Sequence, residues 1–329
     1  MNMKKEYVIK AAFKFLRNSF IILLILFVVD RSLGTFLEHF LFAEKQGDSS
    51  ITTHAVLNSH EEIVIFGSSR AGHHYIPKLI EKNTGLSCYN FGRDGTNILY
   101  YESLLKIILS SSTPKVAILD LNLDDFMEKK NQKKVILSIL LPYINENKVV
   151  EDLVYEGDKI EFFKSKISKL YRYNSLPIPI LLHHLSIGQK HYQGYEPLNG
   201  CKVKNQKKKL IDNPYNETRP ELQAFENFVK TAHENNIKLF VVISPSFKRF
   251  KNNALKTANE ILAKYGSKCH NYSEFITIQN KNHFYDGSHL NNTGAEIFTK
   301  QLIADHLLET TTSESKTAYN HPQATKHNK

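Results

Sequence analysis

The chain has 329 residues and a formal net charge of +10, with 41% hydrophobic residues. That is enough apolar material for one sizeable domain with accessories, and it excludes a wholly disordered chain. Three cysteines without a close pair, Cys88, Cys201 and Cys269, exclude a disulfide framework and a zinc-finger spacing. One disulfide outside the cytosol stays open, with no pair selected.

The positive charge is patchy. Lys4, Lys5, Lys10, Lys14 and Arg17 cluster at the start, and Lys202, Lys204, Lys207, Lys208 and Lys209 form a second run. No nucleic-acid module accompanies either, so the second run reads as a solvated loop and no nucleic-acid partner is expected. Phe20–Val29 is an unbroken apolar run. With Phe13, Phe15 and Leu16 before it and Leu33, Phe36 and Leu37 after it, it makes one membrane helix, although a span wants about 20 residues. Lys14 and Arg17 can snorkel at one end. A cleaved signal peptide is the rival reading, and Asp30-Arg31-Ser32-Leu33-Gly34 makes a poor cleavage site. The expectation is an uncleaved single-pass anchor over 1–42, N-terminus cytoplasmic, with the rest of the chain extracytoplasmic.

Residues 43–60 are polar and mixed and read as a juxtamembrane linker. Strands and helices then alternate over 61–309. Ile63–Phe66 is a short apolar run closed by Gly67-Ser68-Ser69, the pattern of a buried central strand. A helix is expected near Ile76–Lys82 and a strand over Leu86–Phe91. A helix follows from Ile98 to Ser110, then a strand over Val116–Leu121. Glu221–Asn235 has helical spacing, Lys238–Ile243 reads as a strand, Asn253–Lys264 as a helix and Ser267–Tyr272 as a short last strand. The final helix carries Thr293-x-x-Glu296, the pattern of a capping box. Between them, 126–220 is an insertion, expected as a lid or substrate-binding element, with helices over Leu137–Ile144 and Ile160–Tyr171. The polar tail 310–329 reads as disordered.

Such alternation implies a parallel sheet with helices on both sides, and sites in such sheets form at the carboxyl ends of the strands. Ser68-Ser69, Gly92–Thr96, Asn122 and Ser244–Ser246 all follow expected strands and land on one edge. A serine hydroxyl needs a base and a group to orient that base. Asp286-Gly287-Ser288-His289, just before the last helix, supplies both: its spacing lets Asp286 reach the His289 ring. The bland reading of Ser68 or Ser69 is helix N-capping. Gly67-x4-Gly72 lacks the lysine of a phosphate-binding loop, and no G-x-S-x-G elbow is present. His73-His74 and His183-His184 lack a carboxylate or cysteine at ligand spacing, so neither a metal nor another cofactor is expected. Arg70 and Arg93 flank the site and are candidates for holding an anionic substrate group; ion pairing within the protein is the competing role.

These blocks resemble the SGNH (GDSL-type) hydrolase family over about Glu61–Leu308, with 126–220 outside the likeness. The resemblance implies an α/β, flavodoxin-like three-layer sandwich around a mostly parallel five-stranded sheet. It implies Ser69 as nucleophile, His289 as base and Asp286 as its orienting carboxylate. The oxyanion would be held by the Ser69 and Gly95 N–H groups and the Asn122 side chain, with Gly92 an alternative to Gly95. Ser68 stands where the family usually has Asp and Arg70 where it has Leu. Asp120 and Leu123 replace the Gly and Asp of the third block. The Gly67-Ser68-Ser69 form is similar to that of membrane-anchored members acting on cell-envelope polymers, the DltD-like and AlgX-like proteins. The implied activity is that of a serine esterase or O-acyltransferase on an acylated glycan, most simply an acetyl ester, with envelope-biosynthesis proteins as partners. The alternative is a catalytically degenerate binding or scaffold subunit of a glycan-assembly complex.

Overall fold

The computed structural model describes residues 2–122, 124–127, 131–176, 178, 180, 192–203, 210–212, 219–247, 249–251, 254–275, 278 and 280–305. The 310–329 tail, His183-His184, Leu123 and the lysines at 204 and 207–209 lie outside them.

Five short strands make the centre: β1 (Ile63–Phe66), β2 (Cys88–Asn90), β3 (Val116–Asp120), β5 (Lys238–Ile243) and β7 (Cys269–Asn271). They pair in the order β2-β1-β3-β5-β7, and every pair is parallel. This is a doubly wound order, so the carboxyl ends of all five strands share one edge. Alternation along each strand divides the core in two. Val64, Phe66, Ala117, Leu119, Val241 and Ile243 face one apolar layer, while Ile63, Ile65, Val116, Ile118, Phe240 and Val242 face the other. The first layer is covered by α2 (Gly47–Leu57), α5 (Ile98–Leu109), α9 (Arg219–Glu234) and α10 (Ala254–Ala263). The second is covered by α3 (Ser69–His74), α4 (Pro77–Thr84) and α11 (Asn292–Ala304). The result is the three-layer α/β sandwich the alternation implied. Two further short strands, β4 (Leu210–Asp212) and β6 (Arg249–Lys251), pair with each other in parallel.

The first helix, α1 (Asn2–Ala43), is unbroken for 42 residues. It is long and apolar enough to cross a membrane, by length and composition the form of an anchor or a signal sequence. Its last turns pack on the domain: Leu37, Phe40, Leu41 and Phe42 join the first core layer.

Residues 43–60 are not a linker. Most of them form α2, whose Ser49, Ser50, Thr52 and Thr53 are buried with Ile51, Ala55 and Val56. The polar composition is misleading because the hydroxyls find partners inside. Thr52 Oγ1 lies 2.9 Å from the Tyr100 hydroxyl, and Thr53 Oγ1 lies 2.8 Å from that of Tyr143 and donates to the Ser49 carbonyl at 3.0 Å. A buried hydroxyl with such partners costs little.

The insertion is helical over α6 (Gln132–Leu140), α7 (Lys148–Gly157) and α8 (Lys159–Ile167). Val150, Val154, Ile136 and Leu140 extend the α5 side of the core rather than covering the strand ends. Among its described residues, the later stretch 192–203 meets the site edge, where the Glu196 N–H donates to the Gly72 carbonyl at 2.9 Å and the Lys202 N–H donates to the Tyr285 carbonyl, and Gln132 reaches the loop after β2 at the Gly95 carbonyl. Helix α11 is capped by Asn291, whose side chain accepts from the Gly294 N–H at 3.1 Å. Thr293 therefore sits inside the first turn, and the expected capping box is displaced by a better cap two residues earlier. All three cysteines are free, and Cys88 and Cys269 lie on opposite edge strands of the sheet.

Candidate active site

After β1 the chain turns at Gly67 and Ser68 and enters α3 at Ser69. Ser68 holds the N-cap position but makes no side-chain cap hydrogen bond; its hydroxyl engages Tyr101 instead. The capping account of this pair therefore fails at Ser68. The Ser69 Oγ lies 2.8 Å from His289 Nε2, a contact between residues 220 positions apart. On the far side of the ring, His289 Nδ1 lies 3.0 Å and 3.1 Å from the two Asp286 carboxylate oxygens. An ionised carboxylate can only accept, so Nδ1 carries the ring proton and Nε2 presents its lone pair to the serine hydroxyl.

Asp286 is held ionised. Burial would raise its pKa, but hydrogen bonds from the His289 ring and the Ser288 N–H outweigh that and hold it well below the usual carboxylate range. The loop is closed on itself: Asp286 Oδ1 accepts from the N–H groups of Ser288 at 2.7 Å and His289 at 3.0 Å. Ser246 Oγ donates to the Gly287 carbonyl at 3.2 Å, tying the loop to the segment after β5.

The other strand ends supply the surroundings. Gly92 packs so tightly on α3 that a Cβ there would lie 2.2 Å from the Gly72 nitrogen. Its own N–H donates to Asn90 Oδ1 at 2.9 Å, so it is committed within the loop. Gly95, the other glycine read as a donor, turns at φ +71°, and nothing lies within 4 Å of a Cβ built there. Gln132 Nε2 donates to its carbonyl at 3.3 Å, steadying the loop from the insertion. After β3, Asn122 Oδ1 accepts from the Asp124 N–H at 3.3 Å, while the Asn122 N–H donates to Asp125 Oδ2 at 2.9 Å. The carbonyl end of that amide faces its own turn.

The two arginines are spent inside the protein. Arg70 is buried; its guanidinium donates to the Ser244 hydroxyl and carbonyl and lies 3.8 Å from Asp120. Asp120 in turn accepts from Tyr75 Oη and the Ser244 N–H, both at 3.0 Å. Arg93 is buried against α2, donating to the Asp48 carbonyl and to Thr52 Oγ1. Of the two roles open to them in the sequence, anchoring the fold is the one these contacts support.

Two histidines dismissed as metal ligands have clear structural duties. His74 is fully buried. Its Nε2 accepts from the Leu290 N–H at 2.9 Å, so its Nδ1 is the protonated nitrogen and donates to Ser244 Oγ at 2.9 Å. Burial, with Arg70 adding to it, depresses its pKa well below the ordinary value, so it stays neutral. His73 Nδ1 donates to the Glu196 carbonyl at 2.7 Å, and its ring stands 5.4 Å edge-on from that of His289. Asp94, Asp48 and Glu196 surround this corner. Burial, then Asp94 and Asp48, push the Glu196 carboxyl up to about 7, and burial and Asp48 raise Asp94 as well. The corner is acidic and reluctant to take another negative charge. None of these roles was readable from spacing; only the His-His pair beside the serine block marked the place.

No family model matches the chain, and no curated protein matches it. Among solved structures, one similar chain is a Streptococcus pneumonia protein described as a candidate platelet activating factor. It shares 11% identity at a TM-score of 0.39, covering 88% of this chain and 99% of that one.

Proposed function

We propose that the chain is a membrane-anchored serine hydrolase of the SGNH type, an esterase or O-acyltransferase working through Ser69, His289 and Asp286. The observation that carries this reading is the continuous line from Ser69 Oγ through the His289 ring to Asp286, at 2.8 Å and 3.0 Å. Ser69 Oγ attacks the ester carbonyl carbon while its proton passes to His289 Nε2. Ionised Asp286 stabilises the imidazolium that forms. The tetrahedral oxyanion is held by the Ser69 and Gly95 N–H groups and the Asn122 amide. Its collapse breaks the ester C–O bond, and the leaving alkoxide takes the proton from His289. Water or a sugar hydroxyl then attacks the acyl-serine, giving its proton to His289, and Ser69 is released with the acid or the new ester.

The substrate class we infer is an acylated glycan of the cell envelope, most simply an acetyl ester. With Arg70 and Arg93 consumed by internal contacts and Asp94 and Glu196 at the rim, the corner suits a neutral ester better than an anionic group. The apolar run of α1, preceded by Lys4, Lys5, Lys10, Lys14 and Arg17, supports a cytoplasmic N-terminus and an extracytoplasmic site.

Fluorophosphonate labelling of the full chain tests the chemistry. Labelling abolished by Ser69→Ala and retained in Ser68→Ala is expected; labelling that survives Ser69→Ala removes the proposed nucleophile. Mass spectrometry of envelope glycans with and without the gene tests the substrate, with accumulation or loss of ester groups as the expected difference.

A further inference from the structure

The insertion carries a helix whose outward face has no protein partner among the described residues. Along α8, Ile160, Phe163 and Ile167 are 67%, 57% and 74% exposed. Their i, i+3, i+7 spacing puts them in one stripe. The opposite face seats the helix: Ser165 is fully buried, Phe162 packs on the core, and Arg172 Nε donates to the Ser165 carbonyl at 2.8 Å. At 100° per residue, Lys164 flanks the stripe on one side and Lys159 and Lys166 on the other. Lys164 and Lys166 also pair with Glu161 and Glu151, at 3.0 Å and 2.8 Å.

The end of α8 is tied to α1 where the apolar run stops. Arg31 Nη2 donates to the Ile167 carbonyl at 2.8 Å, and Asp30 accepts from Ser168 Oγ and from the N–H groups of Lys169 (2.9 Å) and Leu170 (3.2 Å). Gly34 lets the segments touch, since a Cβ there would lie 2.9 Å from the Leu170 nitrogen. The run Phe20–Val29 has ten residues, about 15 Å of helix against a hydrocarbon layer of about 30 Å. Snorkelling of Lys14 and Arg17 extends it inward. Outward, the layer reaches the level of Asp30 to Phe36, where Leu33 and Phe36 are also exposed.

We propose that α8 lies in the extracytoplasmic face of the same bilayer that α1 crosses, with Ile160, Phe163 and Ile167 among the upper acyl chains and its lysines at the headgroups. The inference rests on reading α1 as a span. It places the domain against the membrane at two points, and it has the form of an interfacial amphipathic helix, whose apolar face sinks about 5–10 Å.

The chain contains no tryptophan, so single-tryptophan variants report cleanly. Full-length Leu26→Trp and Phe163→Trp are reconstituted in vesicles of lipids brominated either high or low on the acyl chain. The expected result is that both are quenched, Phe163→Trp with blue-shifted emission and most strongly by the shallow bromines. Quenching of Leu26→Trp with water-like, unquenched Phe163→Trp emission overturns the proposal and leaves the anchor standing. Failure to quench Leu26→Trp removes the anchor and the proposal together. Blue-shifted Phe163→Trp emission without lipid quenching, in a chain that cross-links to itself, assigns the stripe to a second copy and overturns the lipid assignment. Ile160→Trp and Ile167→Trp sample the same stripe, so misfolding of one variant does not block the answer.

Discussion

His74 Nε2 accepts the Leu290 N–H at 2.9 Å, one residue beyond the imidazole that faces Ser69. A buried neutral ring thus holds the backbone on which His289 is mounted, and its other nitrogen is fixed by Ser244. Glutamine at 74 can place a carbonyl oxygen near Nε2 and keep the Leu290 bond; asparagine reaches only the Ser244 side. The expected outcome is that His74→Gln keeps most fluorophosphonate reactivity, whereas His74→Asn loses about 10²-fold, the scale of an ångström's misplacement. Equal losses in both, matching their losses of thermal stability, count against a positioning role.

For turnover of a small aryl acetate, Asp286→Asn is expected to lower kcat about 10⁴-fold through the wrong ring tautomer, with binding little changed. Steady-state kinetics checks it, and a KM effect without a kcat effect runs against the assignment.

Arg70→Met is expected to cost about 3–5 kcal/mol of stability, because Asp120 is left as a buried charge without its cation. Adding Asp120→Asn should recover part of the loss. Urea unfolding of both variants measures this, and a normal unfolding midpoint with impaired substrate binding would restore a substrate role for Arg70.

Glu44, buried at the end of α1 beside a cavity lined by Thr53, His54 and Tyr89, has its carboxyl raised from 4.5 to about 7 by burial, with Arg93 opposing. The folded state therefore binds this proton more tightly than the unfolded chain. The associated stability is present below pH 4.5 and is lost as pH rises through about 7. Glu44→Gln should flatten that fall and leave the variant more stable than the parent at pH 8, as read by thermal melts across pH.

The alternation of Ile63–Phe66, Val116–Leu121 and Lys238–Ile243 with helical spacings made the parallel sheet readable, because strands buried on both faces are apolar throughout. The Ser69 and His289 blocks were readable for a related reason: both follow elements whose ends share an edge. What stayed hidden depends on three-dimensional partners. Thr52 and Thr53 look like linker residues until Tyr100 and Tyr143 are brought to them. Arg70 looks like a ligand for substrate until Asp120 and Ser244, 50 and 174 positions away, close around it. Thr293 has a cap's sequence, but Asn291 reaches the first turn.

Helix α1 runs without interruption from the apolar run into the first core layer. At 42 residues it is a strut of about 63 Å. Its upper end packs into the same core layer as the strands, so that end has the form of a ruler rather than a tether. On the proposed reading of α1 as a span, that strut would set the height of Ser69 above the bilayer, and an acylated glycan would have to be brought to that level.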